Sequence, residues 1–123
     1  YTHEFGVDAA QDAAFQPYID AFDGVIMWTW EERRLDQFEE KYARFKELTK
    51  NRRRMLGLYL YNFGECKPAT AEAARWQLER YTQLLRAGEI EGIVLHTNTM
   101  ADLDHPAYDV ETAWMREHGD EII

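Results

Sequence analysis

Met55-Leu56-Gly57-Leu58-Tyr59-Leu60-Tyr61-Asn62-Phe63 alternates leucine with glycine or tyrosine through its middle, and that alternation decides the fold. Successive side chains of an extended strand point to opposite faces. Leu56, Leu58 and Leu60 therefore form one row, suited to packing under helices, while Gly57, Tyr59 and Tyr61 form the other. Neither row carries a charge, as in sheets covered on both faces. Two more runs share this texture: Gly24-Val25-Ile26-Met27-Trp28-Thr29-Trp30 and Gly92-Ile93-Val94-Leu95-His96-Thr97-Asn98. A fourth strand, Tyr1-Thr2-His3-Glu4-Phe5, opens the chain.

Helical periodicity fills the gaps. Ala10, Ala14, Tyr18 and Phe22, with Ala13 beside them, predict a helix from about Asp8 to Phe22, which Pro17 should kink or split. Leu35, Phe38, Tyr42, Phe45 and Leu48 mark the clearest helix, with Asn51 as its stop. A third begins at Thr70 as N-cap, carries Ala74, Leu78, Tyr81 and Leu85, and ends at Gly88. A last one, from about Asp109 to Gly119, shows Val110, Ala113 and Trp114. Helical connections of roughly twenty residues join the later strands, the length that parallel pairing requires. The expected class is α/β: four βα units with a parallel sheet, half of a (β/α)8 TIM barrel. A full barrel needs about 250 residues, and this chain has 123. Residues 1–123 read as one (βα)4 half-barrel unit. The lack of an initiating Met and the start inside a strand predict a piece of a longer chain.

A net charge of −9 argues against a nucleic-acid partner, which needs clustered cations. The one basic run, Arg52-Arg53-Arg54, reads as a turn that complements a negative helix end. No stretch is long and apolar enough to predict a membrane span. Cys66 is the only cysteine, so no internal disulfide forms; it reads as structural. No phosphate-binding glycine motif is present, and no cofactor is expected.

In a parallel α/β layout all strand carboxyl ends lie on one side, where such folds do chemistry. Trp28, Trp30, Tyr61 and Phe63 gather there, as layered fillers of a barrel interior or as faces on which a sugar ring stacks. Trp28 and Trp30 share a face with Ile26, and His96 and Asn98 with Val94. Asn62, His96 and Asn98 are expected to hydrogen-bond hydroxyls. Carboxylates follow the same geography: Glu4, then Glu31 and Glu32, then Glu65, then Asp102 and Asp104. Glycoside hydrolysis needs two such groups, an acid and a nucleophile or base. Glu31 and Glu32 have a competing role at a helix start, which leaves Glu4 and Glu65 as the candidate pair. A metal hydrolase built on His3, Glu4, His96, Asp102 and Asp104 is a rival reading, but adjacent His3 and Glu4 point to opposite faces. No metal ligand set is assigned. His105 and His118 read as surface residues.

Gly57-Leu58-Tyr59-Leu60-Tyr61-Asn62-Phe63-Gly64 resembles a late barrel strand of bacterial glycoside-hydrolase-like proteins. Gly88-Glu89-Ile90-Glu91-Gly92-Ile93-Val94-Leu95-His96, Asp102-Leu103-Asp104 and Trp114 carry the same resemblance. It implies strands five to eight of a (β/α)8 barrel, a carbohydrate substrate, paired acids and no redox cofactor. Such relatives carry catalytic acids at the ends of the fourth and seventh strands. The fourth would be absent here, and Glu65 would lie just beyond the seventh. The partner implied is a second half-barrel, from the same longer chain or from a homodimer. A non-catalytic glycan-binding or structural module is the alternative.

Overall fold

The structure is a computed structural model that describes residues 2–3, 9–97 and 101–121. Its strands and helices alternate as β1 (Thr2–His3), α1 (Ala9–Asp20), β2 (Gly24–Trp28), α2 (Phe38–Leu48), β3 (Arg53–Tyr59), the short pair β4 (Tyr61–Asn62) and β5 (Lys67–Pro68), α3 (Ala71–Arg86), β6 (Gly92–His96) and α4 (Pro106–His118). A 3-10 helix, Glu32–Gln37, leads into α2. The α/β class is as expected, and β1, β2, β3 and β6 form one four-stranded sheet in that order, every pair parallel.

The register places Met27, Leu56 and Ile93 in one transverse row, and Trp28, Gly57 and Val94 in the next. Alternation then sorts the faces as the leucine pattern predicts. Val25, Met27, Leu56, Leu58 and Leu60 are buried in the core with Phe38, Tyr42 and Phe45 of α2 and Ala74, Leu78 and Tyr81 of α3. Ile26, Trp28, Met55, Tyr59 and Val94 lie on the other face and stand apart from that core. Burying one of these large apolar side chains contributes about 1.5–3 kcal/mol, so the single-sided core holds the helices to the sheet.

The ends of the helices follow the chemistry of their residues. Thr70 caps α3, its Oγ accepting from Ala73 N at 3.1 Å, and Gly88 leaves the helix at φ +70°, a conformation glycine adopts without strain. Arg54 Nη1 donates to Thr49 O at the end of α2 and Arg52 Nη2 to Asp20 O at the end of α1, so the basic run complements two negative helix ends.

The structure departs from expectation in α1, at the end of β3 and at His105. The face of α1 that turns inward is Asp12, Phe15 and Ile19, while Ala10, Ala14, Tyr18 and Phe22 are exposed. Asp12 is buried because Arg44 of α2 reaches it at 3.4 Å. The helix also runs through Pro17 without splitting. The third strand stops at Tyr59, four residues early, and Tyr61-Asn62 pairs antiparallel with Lys67-Pro68 instead. His105 is buried, not on the surface, and neither ring nitrogen has a partner among the described residues.

Glu111 lies on the inward stripe of α4 with Ala107, Val110 and Trp114 and is 1 % exposed. Its Oε2 meets no partner among the described residues, and burial pushes the carboxyl up to about 7. A raised acid stabilises the fold fully below its unfolded value and loses that contribution as pH rises through the folded one. Between pH 5 and 8.5 the wild-type chain should lose about 2.5 kcal/mol relative to Glu111→Gln, read from urea midpoints across that range. A second prediction concerns Gly57, where an added Cβ would sit 2.3 Å from the Trp28 ring. Gly57→Ala should cost about 1–3 kcal/mol by overpacking, with altered tryptophan fluorescence.

Candidate functional site

The strand exits converge on an aromatic cluster. Trp28 lies over Gly57 and stacks on Tyr59, centroids 4.2 Å apart and planes 28° apart. His96 sets its edge against both rings, at 6.1 Å from Trp28 and 5.1 Å from Tyr59. Phe63 stands edge-on to Tyr59 and to Tyr61, each at 5.1 Å. Trp30 follows Phe63 at 6.4 Å. Such tilted and edge-to-face contacts suit ring quadrupoles and contribute about 0.5–1.5 kcal/mol each beyond area burial.

Within this cluster the rings divide by exposure. Trp28 is 5 % exposed and serves as floor, whereas Trp30 and Phe63 are 48 % and 47 % exposed. Phe63 N donates to Trp30 O at 3.0 Å, which locks the exit of β2 to the turn after β4 and holds the two exposed rings together. Tyr61, expected on the inner face, packs against the helix-side core because the alternation ends with β3. His96 is exposed at the end of β6.

Asn62 ties this rim together from within. It is buried; its Oδ1 accepts from Gly64 N at 3.2 Å and from Glu32 N at 3.4 Å, and its Nδ2 donates to Glu65 Oε2 at 3.0 Å. Its polar atoms are thus committed to the frame. Gly64 lets the Glu31 side chain pack close, since an added Cβ would sit 2.7 Å from Glu31 Cγ and push it aside. A shallow cleft of about 280 Å³ opens beside these residues, lined by Glu32, Arg33, Asn62, Gly64 and Glu65.

Each carboxylate lining this rim between β2 and α3 already has a partner. Glu31 pairs with Arg33 at 2.6 Å and Arg34 at 2.8 Å, and the Arg33 hydrogen bond, with Arg34 adding to it, holds it below the usual carboxylate range. Glu32 accepts from the Thr70 hydroxyl at 2.6 Å and from Thr70 N at 3.0 Å, so it braces the start of α3 across 38 residues of sequence. Glu65 is exposed and meets Lys67 at 2.7 Å, a hydrogen bond that raises the lysine. A proton donor is ordinarily made from a carboxyl withdrawn from water. Glu65 stands in water instead, paired with a cation.

Glu4 and Asn98 lie outside the described residues. Among the described residues no three His, Cys, Asp or Glu side chains gather to hold a metal ion. No described helix is long and apolar enough to cross a membrane. Cys66 is exposed in the turn between β4 and β5, at φ 52°. Comparison with known proteins finds no matching family model, and neither a curated protein nor a solved structure matches the chain.

What sequence reasoning missed at this site is the framing role of Asn62 and Glu32. Its only trace was Asn62-Phe63-Gly64, a turn-forming stretch inside an otherwise strand-like run. Asn62→Ala should cost about 1 kcal/mol by removing the acceptor of the part-buried Gly64 and Glu32 amides. Hydrogen exchange should show faster loss of protection at the Gly64 and Glu32 amides, with the β3 amides unchanged.

Proposed function

We propose that the chain is a half (β/α)8 barrel of glycoside-hydrolase type that binds carbohydrate at the carboxyl ends of its strands. The observation that carries this reading is the exposed pair Trp30 and Phe63, held side by side above a buried aromatic floor. The C–H faces of a sugar ring pack on such π-faces, and polar groups around them orient hydroxyls. Glu65, Lys67 and His96 supply those polar groups at the rim. The net charge of −9 disfavours acidic sugars, so the ligand class is a neutral oligosaccharide.

The half-barrel part of the proposal is supported by the strand order, which never reverses, and by the core lying on one face of the sheet. Right-handed crossovers in one direction put all helices on that face, as in a barrel wall. Hydrolysis would need Glu4 and Glu65 to act as the acid and base pair. With Glu65 exposed and bound to Lys67 and Asn62, recognition is favoured over turnover.

Calorimetric titration with neutral oligosaccharides tests the reading. Trp30→Ala and Phe63→Ala should each weaken binding about tenfold, on the order of the aromatic contribution. Glu65→Gln should leave binding within a few fold and any release of an aryl glycoside unchanged. Unaltered affinity in both aromatic variants would refute the site.

A further inference from the structure

The sheet has one face and two edges without a partner among the described strands and helices. Its second face presents Ile26, Met55 and Val94, all half-buried, around the Trp28 and Tyr59 stack. At the outer strand the deficit reaches the helix side too. Ile93 and Leu95 share rows with Leu56 and Leu58, which are 0 % exposed, yet both stay half-buried because β6 ends the sheet. All-parallel sheets are ordinarily covered on both faces, and open edges invite association.

We infer that two copies of this chain pair through the open face, β6 of each beside β1 of the other, to close an eight-stranded ring. This rests on the half-barrel reading above. β1 and β6 are the two ends of one parallel sheet, so a two-fold axis along the strands makes both junctions parallel and equivalent. A docked helix would cover the face and leave both edges; an added strand would pair one edge and leave the face. A second sheet of the same hand meets all three.

The area is sufficient. Strands spaced about 4.8 Å make an eight-membered ring of radius roughly 7 Å, with helices packed about 10 Å further out. A cut through its axis is about 40 Å wide and 20 Å high, on the order of 800 Å² per protomer, the size of a standard stable interface. Closure would also bring the partner's strand exits to the same mouth, so that Trp30 and Phe63 face a second pair. Each copy carries a charge of −9, so pairing works against long-range repulsion and strengthens as salt screens it.

Sedimentation equilibrium at tens of micromolar chain, in about 20 and 300 mM salt, reads the mass and its salt dependence. Expected is twice the 14.6 kDa protomer, with the dimer favoured at higher salt. Val94→Lys, in the middle of the open face, should yield a folded monomer by circular dichroism; Met55→Lys serves if it does not fold. Leu103→Lys, at an exposed residue beyond β6, should leave the dimer intact. A folded wild-type monomer at both salts overturns the pairing, and if it still binds neutral oligosaccharide the carbohydrate reading stands alone. A dimer indifferent to both Val94→Lys and Met55→Lys overturns the half-barrel interface. A dimer that Val94→Lys splits, but that binds no sugar, upholds the pairing and refutes the proposed function.

Discussion

The placement of β3 between β2 and β6, in parallel register with both, governs this molecule. Because strand side chains alternate, that register alone sends Leu56 and Leu58 to the helices and Gly57 and Tyr59 to the opposite face. A slip of one residue would exchange the sets, placing the Tyr59 phenol among Phe45, Leu78 and Tyr81. Burial already raises the Tyr59 phenol where it stands, half-covered by Trp28. Gly57 closes the arrangement, since only a residue without a side chain lets the Trp28 indole lie flat on the sheet.

From that register the rim follows at one remove. β2 ends opposite Gly57 while β3 runs on to Tyr59, and beyond them the Phe63–Trp30 hydrogen bond and the Asn62 amide join the two exits. The joint is polar and local, while the helix-side core below it is apolar and continuous. Loops of this kind, set on a rigid scaffold, are where binding groups are placed. Glu32 extends the same frame to α3 through Thr70, so the rim is tied to helix as well as sheet.

How much of this could be read from residues alone differs by element. The two faces of β3 were legible because leucine recurs at every second position, a period no helix shares. The caps of α3 were legible because Thr70 and Gly88 act through their own local chemistry. In α1 the alanines misled, being too small to signal a face, and the decisive inward residue was a charged one, Asp12, whose partner Arg44 lies in another helix. The same holds for Glu111 and His105, polar residues whose burial depends on tertiary packing. At the candidate site, the aromatic convergence of Trp28, Trp30 and Phe63 was legible from strand ends. The division into buried floor and exposed pair was not, because it depends on where β2 and β3 stop.

The Trp28 indole on Gly57 and Tyr59 is the joint on which the face assignment and the rim both depend, and proton NMR reads it directly. The account predicts an upfield-shifted Gly57 Hα, with nuclear Overhauser contacts from the Trp28 ring to Gly57 Hα and to the Tyr59 ring. Contacts from Trp28 to the methyls of Leu56 and Leu58 instead, with Gly57 Hα at its ordinary position, would contradict it.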